Sequence, residues 1–102
     1  VPTGITFNSN GTKMFIVGIG GDEINEYSLS VAYDLSSTVT HLEAFDISGS
    51  TGVPQDVAFN ASGTEVFVVS ANGEIFSWTL ATAYDVSNPT ALYTCWYAVV
   101  NE

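Results

Sequence analysis

Basic residues are almost absent from this chain of 102 residues, which has one lysine (Lys13), no arginine and eleven carboxylates. With its single histidine neutral, the formal net charge is −10 at pH 7. Proteins that bind nucleic acids or anionic membranes neutralise phosphate groups with Lys and Arg. The composition therefore argues against both kinds of partner, and we expect most of the carboxylates to lie on a solvated acidic surface.

Cysteine and long apolar segments are also scarce. Cys95 is the single cysteine, which excludes an internal disulfide, and no cluster of cysteine and histidine indicates a zinc site. Cys95 aligns with Ala44 in the internal repeat described below, so we expect it to be a small buried side chain. No apolar run approaches the roughly 18 residues of a membrane-spanning helix.

A helical period is missing as well, whereas an internal repeat of about 51–52 residues is evident. The segments Ile5–Val17 and Val57–Val69 each contain a short apolar strand, a turn rich in Asn, Ser and Gly, and a second strand that is apolar on both faces. Gly11 and Gly63 close the two turns, where glycine adopts positive φ without a steric penalty. The chain is therefore one β-unit present twice, in residues 2–52 and 53–102.

Each unit divides into four predicted strands, so the sequence predicts an all-β fold. The strands are residues 4–8, 13–19, 24–29 and 40–47 in the first unit, and 56–60, 65–71, 75–80 and 91–99 in the second. Four antiparallel strands in a repeat of this length are typical of a β-propeller blade.

A sequence motif connects these units to a known family. The pattern Pro2-x-Gly4-Ile-x-Phe-Asn-x-Asn-Gly-Thr-Lys-Met-Phe-Ile-Val17, followed by Ile24-x-x-Tyr-x-Leu29, resembles the repeat of YVTN-type β-propellers, relatives of the WD-repeat and lactonase-like propellers. The resemblance covers the chain as two blades. It implies a fold rather than one function, because the family includes enzymes, surface-layer proteins and binding scaffolds. The chain departs from the family in having two blades, too few to close a ring.

Two blades predict an assembly, because each blade is covered by its neighbour on one face and leaves one apolar face in water. Cyclic association of several copies, head to tail, would cover both open faces. Dimers, trimers and tetramers give four, six and eight blades; we favour the homotrimer, because four blades require the sharpest curvature and eight the most copies. The alternative is that the chain, which starts Val1-Pro2 without an initiator methionine, is a fragment of a larger propeller.

Residues that recur in both units are expected to be structural. Tyr33-Asp34 and Tyr84-Asp85 recur, so we expect the tyrosine to pack on the blade edge and the aspartate to bond the turn backbone. Aromatic residues recur at the positions of Trp78 and Trp96, where packing between blades is expected and stacking on a sugar is the alternative. His41 stands alone after a polar loop without a Ser, Cys or Asp motif, so we expect a surface histidine rather than a catalytic base.

Residues that break the repeat are better candidates for a site. Gln55 and Asp56 stand where the first unit has Thr3 and Gly4. The resemblance to propellers implies that this region lies at the channel mouth, where three copies of Asp56 in a trimer would come close together. Hard cations such as Ca²⁺ bind oxygen ligands, so Asp56 and Gln55 form a candidate metal site. The alternative is that Asp56 only bonds the backbone of the loop at residues 48–53.

The leading functional hypothesis is a non-enzymatic, oligomeric propeller that acts as a scaffold or as a binding module for a small-molecule or glycan ligand of unknown identity. The alternative from another class is a hydrolase, since the resemblance to lactonase-like propellers implies a metal held by carboxylates at the channel mouth.

Overall fold

The computed structural model describes residues 1–96, in which all regular secondary structure is β. The strands form two antiparallel four-stranded sheets, each a meander of sequential neighbours. The first sheet contains β1 (Pro2–Phe7), β2 (Lys13–Gly18), β3 (Glu23–Leu29) and β4 (Val39–Asp46), and the second contains β5 (Pro54–Phe59), β6 (Glu65–Ser70), β7 (Glu74–Leu80) and β8 (Pro89–Trp96).

This arrangement confirms the all-β prediction and the division into two four-stranded units. Within residues 1–96 each strand begins and ends within two residues of its predicted bounds. The predicted end of the last strand, Val99, lies outside the described residues. Over the described part of the chain no helix has the length and hydropathy needed to cross a membrane.

The first hairpin of each sheet is closed by the same side-chain contact. Asn8 Oδ1 accepts a hydrogen bond from the backbone N–H of Lys13 at 3.0 Å, and Asn60 Oδ1 accepts one from Glu65 N–H at 3.0 Å. The glycine that follows adopts a φ of +75° at Gly11 in the first hairpin. The positive φ predicted at both glycines is therefore confirmed, since Gly63 has a φ of +73°.

A tyrosine ring lies directly on each of these glycines. A Cβ atom at Gly11 would overlap the ring of Tyr33, and a Cβ atom at Gly63 would overlap the ring of Tyr84. The tyrosine N–H groups donate to the carbonyl oxygens of the same glycines at 2.9 and 2.8 Å. Both tyrosines have positive φ, 58° and 56°, which is uncommon for residues other than glycine, so the contact with the hairpin turn stabilises this conformation.

The aspartate after each tyrosine organises the long connection between the third and fourth strands. Asp34 Oδ1 accepts hydrogen bonds from Ser36 N–H at 2.9 Å and Ser36 Oγ at 2.6 Å. Asp85 Oδ1 makes the same pair of bonds with Ser87, at 2.9 and 2.6 Å. The predicted structural role of the Tyr-Asp element is therefore confirmed in both units.

The hydrophobic core lies between the two sheets. The sheets approach most closely at β1 and β5, where Thr3 Oγ1 donates to Pro54 O at 2.7 Å and a Cβ at Gly4 would lie 2.6 Å from Asp56 Cα. Farther out, Phe45 meets Trp78 edge to face with ring centroids 5.3 Å apart. The core comprises Phe15, Val17, Ile24, Ile47, Val57, Val66, Val68, Phe76, Trp78, Leu80 and Val86.

The expectation that Cys95 is buried is wrong, because Cys95 is exposed. β4 carries a bulge between His41 and Glu43 that β8 lacks at the matching place. Ile24 therefore pairs with Phe45, whereas Ile75 pairs with Cys95. Cys95 thus lies one residue out of register with Ala44, on a face that no other sheet covers.

Candidate functional site

Each sheet has one face turned towards the other sheet and one turned away from it. Pairing places Phe15, Val17, Ile24, Glu26 and Phe45 on the covered face of the first sheet and Ile5, Ile16, Asn25, Tyr27 and His41 on its open face. The covered face of the second sheet contains Val57, Val66, Val68, Phe76 and Trp78, and its open face contains Asp56, Ala58, Phe67, Ile75, Tyr93 and Cys95.

In the repeat, the open face of each sheet corresponds to the covered face of the other sheet. Phe67 and Ile75 on the open face of the second sheet correspond to Phe15 and Ile24, which are 0% exposed. The open faces also contain strongly exposed apolar side chains, among them Ile5 at 51% and Tyr93 at 60%. Surfaces of this kind are typical of faces that another element covers.

The two Tyr-Asp turns also differ in how far their apolar residues are buried. Val86, which follows Tyr84-Asp85, is 1% exposed because it packs into the junction between the sheets. Leu35, at the same place in the first unit, is 62% exposed, and its neighbour Tyr33 is 60% exposed. One copy of the turn is therefore docked on a neighbouring sheet, whereas the other copy has an equivalent apolar surface without such a neighbour among residues 1–96.

The sheet junction contains a buried charge pair in addition to its apolar core. Glu26 on β3 is 1% exposed, and its Oε2 lies 2.8 Å from the ammonium of Lys13 on β2. Its other oxygen accepts a hydrogen bond from the backbone N–H of Val86 at 3.1 Å. Lys13 Nζ also donates to Tyr84 O at 3.1 Å, so this pair fixes the Tyr84–Val86 turn of the second sheet onto the first.

Two further carboxylates lie at the same junction. Glu43 on β4 and Asp85 in the turn each bring an oxygen within 4.8 Å of the others and of Glu26. Burial, followed by hydrogen bonding to Asp85 and Glu26, raises the pKa of Glu43 from 4.5 to about 7. The Ser87 side chain and backbone hold the pKa of Asp85 below its usual value, so the shared proton belongs on Glu43.

Three carboxylates at these distances could hold a divalent cation. In this junction, however, Glu26 uses one oxygen for Lys13 and the other for Val86 N–H. The lysine already supplies the positive charge that a cation would supply. The cluster therefore serves to join the two sheets.

Sequence reasoning missed this cluster, although a signal for it was present. Lys13 and Glu26 stand where the second unit has Glu65 and Ser77, so both break the repeat as clearly as Asp56 does. Asp85 matches Asp34 and was interpreted as structural, and its structural bond to Ser87 is real. Its second contact, across the junction, depends on tertiary packing that the repeat alone does not reveal.

The predicted metal ligands Asp56 and Gln55 lie on β5, close to the first sheet. Asp56 is exposed, and its Oδ1 accepts a hydrogen bond from the adjacent Val57 N–H at 2.9 Å. Gln55 Nε2 makes a long contact with Val53 O at 3.5 Å. Within one chain these two side chains are adjacent in sequence but share no partner among the described residues.

His41, which the sequence predicts to be a surface residue, has an ordinary surface environment. It is exposed, its Nε2 lies 2.9 Å from Asn25 Oδ1, and its ring packs against Tyr27 at a centroid distance of 5.1 Å. Hollows of about 180, 140 and 150 Å³ lie on the sheet surfaces, smaller than the roughly 300–1,000 Å³ typical of small-molecule pockets. The geometry of the described residues thus favours surfaces for assembly over an enclosed ligand site.

Comparison with known proteins supports the fold and gives no function. No protein-family model matches the chain, and no curated protein matches its sequence. The chain is similar in structure to a functionally unknown protein from Desulfotomaculum acetoxidans DSM 771, with a TM-score of 0.67 and 16% sequence identity. The match covers 91% of this chain and 26% of that protein, so the chain spans about a quarter of the length of its structural neighbour.

Proposed function

We propose that this chain is a two-blade unit of a β-propeller and that it acts as a non-enzymatic scaffold or binding module once further blades cover its two open faces. The covering blades in this proposal are further copies of the chain, arranged head to tail as a six-bladed homotrimer. The proposal concerns assembly, because the ligand of such a ring is set by its channel and loops.

The observation that carries this proposal is the contrast between Val86 and Leu35. The two residues occupy the same place in two copies of one turn, and only Val86 is buried, at 1% exposure against 62%. Burying apolar surface stabilises a protein by roughly 25 cal/mol per Å². A second chain that docked its Tyr33–Leu35 turn on the open second sheet would bury Leu35 as Val86 is buried.

The junction between chains would differ from the junction within the chain. Gly4 allows β1 and β5 to approach closely, since a Cβ there would lie 2.6 Å from Asp56 Cα. In the junction between chains Asp56 takes the place of Gly4, so the innermost strands would stand farther apart. The three Asp56 carboxylates would then line the ring opening, where we propose a Ca²⁺ site with Gln55 as a neutral ligand.

Light scattering coupled to size-exclusion chromatography tests the assembly. A homotrimer of 10.8 kDa chains gives about 32 kDa, from three times 10.8. A dimer or a tetramer would correct the number of blades and keep the ring. A monodisperse monomer that unfolds cooperatively would contradict self-assembly.

A second source of covering blades is the same polypeptide. The structural neighbour contains the matching arrangement within 26% of its length, which favours a longer protein with further blades. A monomeric result combined with additional blades in the parent reading frame would support this source. Lactone hydrolysis by the purified protein separates both scaffold proposals from the hydrolase alternative, because a bound divalent ion would fit the hydrolase and the proposed Ca²⁺ site alike.

The charge makes a further test of the kind of partner possible. Three chains have 33 carboxylates against three copies of Lys13, which gives a formal net charge of −30. We expect no binding to DNA, heparin or anionic membranes at moderate salt, because such ligands require clustered basic residues. Salt-sensitive retention on a heparin column would contradict this expectation.

A further inference from the structure

The junction between the sheets contains an unusual excess of negative charge. Glu26, Glu43 and Asp85 meet there with one ammonium, that of Lys13. These groups come from three strands of the first sheet and one turn of the second, so their mutual attraction or repulsion acts on the contact between the sheets. At low dielectric such interactions are stronger than in water.

One oxygen in this cluster lacks a hydrogen-bond donor. Glu43 Oε2 is enclosed and has no partner among the described residues. The carboxylate oxygens of Glu26 and Asp85 lie within 4.8 Å of the Glu43 carboxyl, and ionised carboxylates only accept hydrogen bonds. A proton on Glu43 turns this carboxyl into a donor and satisfies the contact.

We propose that the Glu43 carboxyl is a proton-dependent lock between the two sheets. When protonated, it donates a hydrogen bond to a neighbouring carboxylate and holds the Tyr84–Val86 turn on the first sheet. When ionised, it repels Asp85 and Glu26 and loosens the turn. The step moves one proton between Glu43 and water and requires no other reactant.

The titration falls in the neutral range. Burial and the neighbouring Asp85 and Glu26 raise the pKa of Glu43 to about 7, from 4.5 in an exposed glutamate. Between these two values the folded chain binds more protons than the unfolded chain, so stability decreases as pH rises from about 4.5 to about 7. The lowered pKa of Asp85 acts in the opposite direction, since its contribution is present above pH 4 and is lost only in acid.

Every charged group that faces Glu43 among the described residues belongs to the cluster. Lys13 comes from β2, Glu26 from β3 and Asp85 from the turn after β7. His41, although on the same strand, bonds Asn25 on the open face of the first sheet.

Chemical denaturation between pH 5 and 8, for wild type and Glu43→Gln, tests the lock. We expect the unfolding constant of wild type to rise about tenfold to a hundredfold over this range relative to Glu43→Gln, which stays neutral. Glu74→Gln is the matched control, because it removes one carboxylate at the start of β7, the end opposite to the Tyr84–Val86 turn, and should keep the wild-type profile. Identical pH profiles for wild type and Glu43→Gln would overturn the proposal.

Two direct measurements on the wild type keep the test decisive if a variant does not fold. A carboxyl ¹³C titration should place the midpoint of Glu43 near 7, and a midpoint near 4.5 would refute the lock. The hydrogen-exchange protection factor of the Val86 N–H should fall between pH 6 and 8 more than that of Val68 N–H in the centre of β6. Equal changes at both amides would assign the pH effect to global stability and contradict a local release of the turn.

Discussion

The covered face of the first sheet and the open face of the second sheet occupy the same place in the repeat, yet they differ in chemistry. Their apolar positions agree, with Phe15 and Ile24 matching Phe67 and Ile75. Their polar positions differ, because Glu26 corresponds to Ser77, and Lys13, beside Glu26, corresponds to Glu65.

This difference separates two contributions to sheet association. The shared apolar residues make both faces suitable for packing against another sheet. The hydrophobic effect is non-directional and depends mainly on the apolar area that is removed from water. The charged residues fix which turn docks and how, because the Glu26 carboxylate reaches one N–H, that of Val86. In the proposed ring, the Tyr33–Leu35 turn of a second copy would therefore meet Glu65 and Ser77 in place of Lys13 and Glu26.

The largest expected effect comes from the matched pair Phe15→Ala and Phe67→Ala. Phe15 is 0% exposed, so its truncation should reduce the free energy of unfolding by about 3–5 kcal/mol. Phe67 is half-buried in the isolated chain, so its truncation should cost about 1 kcal/mol by lost area in a monomer and nearly as much as Phe15→Ala in the proposed trimer. Denaturant unfolding measures both variants. Equal losses would show that the second sheet is covered in solution, which would favour assembly.

The next effect concerns the polar difference between the two faces. Glu26→Ser, which copies Ser77, leaves the Lys13 ammonium without its carboxylate and the Val86 N–H without its acceptor. We expect a loss of about 2–4 kcal/mol in unfolding free energy. Ser77→Ala is the control and should change stability by less than about 0.5 kcal/mol. A loss below about 1 kcal/mol for Glu26→Ser would mean that water replaces both bonds.

A smaller effect is expected where the sheets come closest. Gly4→Ala places a Cβ 2.6 Å from Asp56 Cα, so the innermost strands must separate, at a cost of about 1–3 kcal/mol. Gly49→Ala is the control, because a Cβ there meets no atom within 4 Å. Thermal unfolding of both variants measures the difference. Equal melting temperatures would show that the junction widens without cost.

The smallest effect concerns the proposed cation. Added Ca²⁺ should raise the melting temperature of an assembled wild type and leave Asp56→Gly unchanged, because Asp56→Gly restores the residue of the first unit. The expected shift is a few degrees, for a ligand present at about 100 times its dissociation constant. The same shift in both proteins would assign the effect of calcium to the diffuse acidic surface.

Local signals in the sequence were sufficient to predict the architecture. Period-2 alternation, the Asn-to-Gly turns and the repeat of about 51–52 residues predicted the eight strands, because each signal depends on neighbours in the chain. The Tyr-Asp element was predicted correctly for the same reason. The predicted packing between the units is confirmed at Trp78, whose ring lies 5.3 Å from that of Phe45, whereas Trp96 is 56% exposed.

The junction cluster and the environment of Cys95 could not be predicted in the same way. Glu26 and Glu43 look like ordinary polar residues of alternating strands until the second sheet encloses them. Cys95 was assigned by simple alignment, and a bulge in β4 shifts the pairing by one residue, which changes the face on which a side chain lies. Both failures arise where the contact depends on residues more than 20 positions away or on a backbone irregularity.

Because glycine has no side chain, Gly4 would also affect the shape of the proposed ring. Three junctions would be narrow, at Gly4, and three would be wide, at Asp56, in alternation around the axis. The assembly would therefore have a three-cornered central opening rather than a regular hexagonal one, with a carboxylate at each corner. A single substitution, Asp56→Gly, would make all six junctions equivalent at their innermost strands and constrict that opening.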